Sequence, residues 1–338
     1  MERLLGVASD VASSHGMAFD VAWVVLGLLL LVGGGEALVR GASGVALLAK
    51  VTPAVIGLTI VAAGTSMPEL VVSTQAALSG SPGMAAGNVV GSNLFNIGAI
   101  LGLSALVRPL RIRGNTVRME WPVMMLAAVQ LHLLSRDGLV DRVEGGALLT
   151  AMVIFTAYAV WVGKRQTSDI EQQEFAEVTT ASFGRTGGLA LLFNLGAIAL
   201  GVALLAGGST ALVRGAVGIA SGLGVSDAVV GLTVVAAGTS TPELVTSLVA
   251  VRRGQDDIAV GNVVGSNIFN VLGIAGATAL ILPLPVPAEI LARDIWWMMA
   301  ASLLLLPLMR TGMRVSRVEG AVLLTGFVVY MAVLVAAA

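Results

Sequence analysis

The sequence predicts an all-α integral membrane protein, ten transmembrane helices arranged as two inverted five-helix repeats. Three observations carry that prediction. The 338 residues are 57% hydrophobic and only 12% charged, with a mean hydropathy of +0.94, more apolar surface than one soluble core can use. The chain contains ten apolar runs of about 20 residues, the length that crosses hydrocarbon. Residues 57–106 recur 174 positions later as 231–280, with 30 of 50 aligned positions identical.

The runs lie at 21–39, 53–78, 84–106, 117–134 and 143–162, then at 188–213, 228–251, 258–282, 290–309 and 318–337. Between the fifth and sixth stands the one sizeable polar stretch, with Lys164, Arg165, Asp169, Glu171, Glu174, Glu177 and Arg185. The expected organisation is a first repeat at 1–163, a connecting loop at 164–187 and a second repeat at 188–338. Smaller echoes extend the duplication: Leu38-Val39-Arg40-Gly41-Ala42 returns at 212–216, and Arg142-Val143-Glu144-Gly145 at 317–320. Equivalent spans are five apart, an odd number, so the two copies enter the bilayer from opposite sides. Inverted repeats of this kind are common in secondary transporters, which bind substrate near the midplane on broken helices. Lys and Arg favour cytoplasmic loops. Placing both termini outside and the central loop in the cytoplasm puts 14 of the 19 basic residues inside. The expected location is therefore the cell (inner) membrane, crossed many times.

Composition excludes several function classes. A net charge of -1 gives no basic footprint for nucleic acid. With no cysteine there are no disulfides, thiolate metal sites or thiol nucleophiles. His15 and His132 are the only imidazoles, too few for a histidine metal cluster. With so few histidines Ser-His-Asp chemistry has almost no raw material, so the chain is not read as an enzyme. Residues 1–20 lack a basic leading region and are not read as a cleaved signal.

Within each copy the identity is densest on polar residues. Gly64-Thr65-Ser66-Met67-Pro68-Glu69 and Gly87-Asn88-Val89-Val90-Gly91-Ser92-Asn93 are mirrored at 238–243 and 261–267. On a helix Ala62, Thr65 or Ser66, Glu69 and Ser73 make one polar stripe. Pro68 interrupts that helix and is expected to free carbonyls near Ala62 and Thr65. In hydrocarbon, free carbonyls are tolerated where they line a cavity, and a bound cation would satisfy them. The seventh span repeats the arrangement with Ala236, Thr239, Ser240, Pro242, Glu243 and Ser247. Asn88, Ser92 and Asn96 share a helical face in the third span, as do Asn262, Ser266 and Asn270 in the eighth. Gly87, Gly91, Gly261 and Gly265 would allow close backbone approach.

Every donor in this constellation is an oxygen, which suits calcium, sodium or magnesium and not zinc or copper. Two buried carboxylates neutralise one divalent cation. Calcium takes six to eight oxygens in flexible geometry, whereas magnesium keeps its hydration shell. Several sodium ions can replace one calcium on the same oxygens, and competition for one site is the simplest basis for antiport. No Lys or Arg lies in either span to pair with Glu69 or Glu243, and lone buried charge is costly. A passive cation channel would use similar groups without needing a counter-ion.

Gly-Thr-Ser-x-Pro-Glu followed by Gly-Asn-x-x-Gly-Ser-Asn-x-x-Asn, present twice, resembles the paired alpha repeats of the cation/calcium exchanger superfamily, sodium/calcium exchanger branch, of prokaryotic type. The resemblance implies a sodium/calcium antiporter, with proton/calcium or other divalent-cation exchange as the alternative. It makes Glu69 and Glu243 shared calcium and sodium ligands. Thr65, Thr239, Ala62 and Ala236 take carbonyl or hydroxyl roles, and Ser66, Ser240, Ser92 and Ser266 roles at sodium sites. Asn96 and Asn270 complete the centre. Some relatives carry an aspartate where Asn270 stands, potassium-dependent members among them, so the amide argues against a potassium requirement. The connecting loop is too short for the regulatory calcium-binding domains of animal relatives. The expected partners are calcium and sodium ions and the lipid bilayer, with no cofactor, no nucleic acid and no obligate protein partner.

The remaining polar residues have plainer readings. Asn88, Asn93, Asn262 and Asn267 are expected to be interhelical hydrogen-bond glue. Glu36 pairs with Arg40 one turn away. Trp121, Trp296 and Trp297 are expected to be interfacial anchors, and His15 and His132 interfacial residues. Asp256 and Asp257 are either solvated loop charges or an ion-attracting mouth.

Overall fold

The structure is a computed structural model, and it describes residues 17–80, 82–166, 188–223 and 236–336. His15, the loop residues Asp169, Glu171, Glu174, Glu177 and Arg185, and the beginning of the expected seventh span lie outside the described residues.

Seven helices among the described residues are long and apolar enough to cross a membrane, and a bent pair makes an eighth. In chain order the helices are α1 (Met17–Ala49), α2 (Pro53–Thr65) and α3 (Met67–Leu78), α4 (Gly83–Val107), α5 (116–134) and α6 (Arg142–Gln166). The second half contributes α7 (Gly188–Gly222), α8 (Ala236–Thr239) and α9 (Thr241–Arg252), α10 (Asp256–Ile281), α11 (Ile290–Met313) and α12 (Arg317–Ala336). The expected spans thus appear as helices in the expected order. The one at 117–134 is the shortest, and at its start Arg118 and Glu120 lie in a π-helical turn that leads into a 14-residue α-helix. The expected ends need correction in three places, one of them the sixth span, which stays helical to Gly222, beyond the expected 213. The first span is helical from Met17 to Ala49, well beyond 21–39, because no proline or capping residue interrupts it before Lys50, which adopts φ 55°. Lys164 and Arg165 belong to the last turn of α6 rather than to the loop, and the Arg165 guanidinium lies over the Trp161 ring, 4.0 Å from its centroid.

The core follows from which spans carry small and polar residues. In α4 and α10, 78% and 94% of the most apolar stretch is buried inside the chain, against 17–33% in the other long spans. Both central helices are rich in glycine, and Gly261 shows why. A Cβ there would sit 2.7 Å from the Ala54 carbonyl, so α10 and the start of α2 meet backbone to backbone. The counterparts of those neighbours, 228–232, lie outside the described residues, and among the described ones Gly87 has only Ile290 nearby.

Around this core α1 and α7 pack antiparallel through two matched glycine series, Gly27, Gly34 and Gly41 against Gly201, Gly208 and Gly215. A Cβ on Gly34 would lie 2.8 Å from Leu205 N, and one on Gly208 2.8 Å from Leu31 N. Each series advances by seven residues, so the same face recurs every two turns. The members of one series stand 174 positions from those of the other. At the membrane edges the halves are stitched by short antiparallel strands. β1 (Leu110–Arg111) pairs with β4 (Arg314–Val315), and β2 (Leu139–Val140) with β3 (Leu284–Pro285).

Several edge charges are more engaged than their sequence suggests. Asp256 and Asp257 are neither a solvated loop nor an open mouth. They form the first turn of α10, where Asp256 is 3.1 Å from Arg108 and accepts from Arg111 N at 3.3 Å, while Asp257 is 2.6 Å from Arg113. Glu36 pairs with Arg40 as expected and also with Arg253, whose Nε donates to it at 2.8 Å. Trp121 is no interfacial anchor, since its indole N–H donates to the Ser302 carbonyl at 2.7 Å. Trp297 likewise packs inward against the Tyr330 ring, whereas Trp296 is 53% exposed.

Two glycine substitutions in α1 should separate packing from propensity. Gly34→Val forces side-chain volume into the α7 backbone and should destabilise the protein by about 1–3 kcal/mol. Gly33→Ala meets nothing within 4 Å and should be neutral or gain up to about 1 kcal/mol from helix propensity. Thermal unfolding of the two purified variants in detergent checks this; equal melting temperatures contradict it.

Candidate functional site

Pro68 and Pro242 set the local geometry. Each lies at the start of a helix that follows a break, with Ser66 at φ -83°, ψ 8° and Ser240 at φ -90°, ψ 7°. The α2 to α3 bend is 44°. Of the carbonyls expected to be freed near Ala62 and Thr65, the one at Ala62 itself is engaged. Ser66 N–H donates to it at 3.0 Å, and the Thr65 hydroxyl lies 3.3 Å away. The proline lacks the donor that a helix offers to the residue four positions earlier, so the carbonyl it strands belongs to Gly64, and in the second half to Gly238. Both breaks turn the serine and glutamate inward. Thr65, Ser66, Glu69 and Ser73 are at most 1% exposed, as are Ser240, Glu243 and Ser247, with Thr239 at 7%.

The two halves interlock through these side chains. Ser66 Oγ donates to Glu243 Oε1 at 2.8 Å, and Ser240 Oγ donates to Glu69 Oε1 at 2.9 Å. Behind each hydroxyl stands the serine of a central helix, with Ser266 3.2 Å from Ser66 and Ser92 3.2 Å from Ser240. Every one of these contacts has its counterpart 174 residues away in the other half. No basic side chain forms an ion pair with either carboxylate among the described residues.

The asparagines fix the helices that carry the glutamates. Asn88 Nδ2 donates to the Glu69 carbonyl at 3.3 Å and to Ser73 Oγ at 2.9 Å. Asn262 Nδ2 does the same for the Glu243 carbonyl at 3.4 Å and Ser247 Oγ at 3.0 Å, and its Oδ1 accepts from Thr65 Oγ1 at 3.2 Å. Asn96 and Asn270 each open a π-helical turn, Asn270 one residue in. Such turns are frequent at functional sites. Asn96 Nδ2 donates to Asn267 Oδ1 at 3.0 Å, whereas Asn93 turns back to its own helix at Val89 O. Asn93 is thus not interhelical glue in this bond.

Four buried side-chain oxygens of the site have no hydrogen-bond partner: Glu69 Oε2, Glu243 Oε2, Asn96 Oδ1 and Asn270 Oδ1. They are all acceptors and form two mirrored pairs. An uncompensated carboxylate oxygen in a dry interior is costly, and a hard cation is the partner that satisfies such a set. Of the twelve expected site residues the structure joins Ser66, Glu69, Ser92, Ser240, Glu243 and Ser266 through direct bonds, and Thr65 is buried beside them on Asn262. Asn96 and Asn270 are buried and keep an unused oxygen, and Thr239 is buried on α8. The Ala62 carbonyl is engaged within its helix, and Ala236 begins α8 with its side chain outside the described residues. Asn88, Asn262 and Asn267 bear more directly on the site than their sequence reading gave them. The signal for Asn88 and Asn262 was the offset of four residues that places them on the face of Ser92 and Ser266; Asn267, next to Ser266, carried no such signal.

Removing the Asn262 amide takes one partner each from the Glu243 carbonyl and the Ser247 and Thr65 hydroxyls, at about 1–3 kcal/mol for a buried group left unsatisfied. Asn262→Ala should therefore melt well below Asn88→Ala, whose side chain is only half-buried. Matching melting temperatures of the purified variants would contradict that.

Residues 19–161 and 193–336 match the family described as sodium/calcium exchanger protein. The chain is 40% identical over 321 residues to the putative antiporter CaxA of Alkalimonas amylolytica, covering 93% of this chain and 98% of that one. It is 36% identical over 323 residues to the inner membrane protein YrbG of Escherichia coli (strain K12), covering 94% and 97%. Among solved structures it matches the sodium-calcium exchanger NCX_Mj, soaked with zero Na+ and Ca2+, with a TM-score of 0.81 at 30% identity over 94% of this chain and 100% of that one. These matches run through both halves and both copies of the mirrored site, and the chain belongs to the sodium/calcium exchanger protein family, in the prokaryotic type of the cation/calcium exchanger superfamily.

Proposed function

We propose that the chain is a secondary antiporter exchanging sodium for calcium by alternating access at a site between Glu69 and Glu243. The observation that carries this reading is the mirrored set of four unpartnered buried oxygens, two from carboxylates and two from amides. Two carboxylates match one calcium in charge. Ser66, Ser92, Ser240 and Ser266, already within hydrogen-bond distance of the carboxylates or of one another, add hydroxyl oxygens for sodium. The site is closed to solvent, so an ion there is held by protein oxygens alone, and releasing it to either side requires the surrounding helices to move.

The proposed architecture is ten spans in two inverted repeats, 1–166 and 188–338, joined by 167–187 in the cytoplasm with both termini outside. The mirrored hydrogen bonds and the matched glycine series support it, and the basic residues support the orientation. Asn270 brings no further charge to the centre, which supports sodium coupling over proton coupling.

In proteoliposomes an imposed sodium gradient should drive calcium uptake, read by an entrapped indicator. Glu69→Gln and Glu243→Gln should each reduce it to the protein-free background. If more sodium charge moves than calcium charge, voltage contributes about 2.3 kcal/mol per net charge per 100 mV, so clamping the potential should change the rate. Calcium flux that ignores sodium and follows a pH gradient would replace this reading with proton/calcium exchange. Ohmic calcium current without a counter-ion would replace it with a channel.

A further inference from the structure

The mirrored contacts of the site are not matched by the outer helix pair. Pro68 strands the Gly64 carbonyl and Pro242 the Gly238 carbonyl, yet only one of the two is recaptured. Ser209 Oγ, on α7, donates to the Gly238 carbonyl at 2.6 Å, and Ser209 is 5% exposed. The residue 174 positions earlier is Gly35, which has no hydroxyl. Gly35 also faces elsewhere, since a Cβ there would rest 3.5 Å from Thr246 Cα and Val245 Cγ1 on α9. Among the described residues no side chain donates to the Gly64 carbonyl. Gly64 is partly exposed while Gly238 is buried, so the two breaks are packed unequally as well.

We infer that Ser209 is a positioning residue that fastens α7 to the second break and holds the chain in the state seen here, in which the second break is the one covered by the outer helix pair. This rests on the alternating-access reading of the preceding subsection. In an inverted repeat the opposite-facing state is reached by exchanging the environments of the two halves, so position 35 there takes the place that position 209 holds here. A serine at 209 and a glycine at 35 therefore bias the equilibrium by one hydrogen bond. The bond is to a carbonyl that the helix itself cannot satisfy, so it has no intrahelical competitor. It must break whenever the second break opens. Ser209 does not touch the carboxylates, and its effect on transport runs through the population of the two states.

The chain has no cysteine, so Thr210→Cys and Arg252→Cys, both exposed, accept spin labels without further change. Their distance distribution, measured by pulsed electron paramagnetic resonance in ion-free lipid nanodiscs, reads the balance between α7 docked on and released from the second half. In this background Ser209→Ala should lower the ratio of the dominant to the minor distance about fivefold, the effect of one neutral hydrogen bond on a two-state balance. Ser209→Thr, which keeps the hydroxyl, should restore it. Gly35→Ser should also lower the ratio, by adding the bond to the other state, and the pair Ser209→Gly with Gly35→Ser should invert the preference. An unchanged distribution in Ser209→Ala, or enrichment of the dominant distance in Gly35→Ser, overturns the inference. The readout needs no transport: if sodium-driven calcium flux is absent while the distances respond as described, the proposed function fails and the role of Ser209 stands.

Discussion

The structure depends on a reciprocal hydrogen bond at its centre, in which the serine three residues before one glutamate donates to the glutamate of the other half. Burying two carboxylates with no basic partner is among the costliest things a membrane interior can do. The serines offset part of that cost by covering one oxygen of each carboxylate. They leave the other oxygen bare. A chain that needed only to fold would have no reason to keep that second oxygen, or the two amide oxygens beside it, without partners. On the proposed reading the arrangement is stable enough to define a site and deficient enough to take a cation.

The surrounding fold serves that centre. The two prolines break their helices at the point where serine and glutamate must turn inward. Asn88 and Asn262 hold the segment behind each break by its main chain and by the serine one turn on, so the carboxylate is aimed by two contacts rather than by its own torsions. Glycines in α10 let the backbone of α2 approach closely enough for Ser66 to reach Glu243. The strand pairs and the Arg108 to Asp256 and Arg113 to Asp257 contacts lie at the periphery, where Arg108 is about half exposed and such pairs contribute little individually. Their value is geometric, since each joins one half to the other.

Most of this architecture was legible in the sequence because membrane helices announce themselves by length and apolarity, and because duplication marks what both halves share. Glu69, Glu243 and the four serines stood out as identical polar residues in apolar surroundings, and the structure gathers them. What the sequence left unread has two physical causes. Contacts across the halves, such as Thr65 with Asn262 or Glu36 with Arg253, join residues that no local periodicity relates. Features in which the halves differ are invisible to an argument from repetition, and Ser209 is the clearest case. The glycine series of α1 and α7 was legible in principle, as a seven-residue spacing shared by both copies. The Ala62 carbonyl went wrong for a simpler reason: the donor that Pro68 removes belonged to Gly64, and the turn at Ser66 keeps the Ala62 bond intact.

The contrast between a symmetric centre and an asymmetric frame has a further consequence. A site whose ligands come equally from two halves gives an ion no reason to prefer either exit. Direction must come from the elements that surround it, and in this chain those are the Ser209 hydroxyl on one break and the Glu36 pairs that tie α1 to the end of α9. Neither has a counterpart in the other half, because positions 35 and 210 carry glycine and threonine. On the proposed reading, ion selectivity and access are therefore separable. Selectivity belongs to residues the duplication preserved, and the resting orientation to residues at which the two copies have diverged.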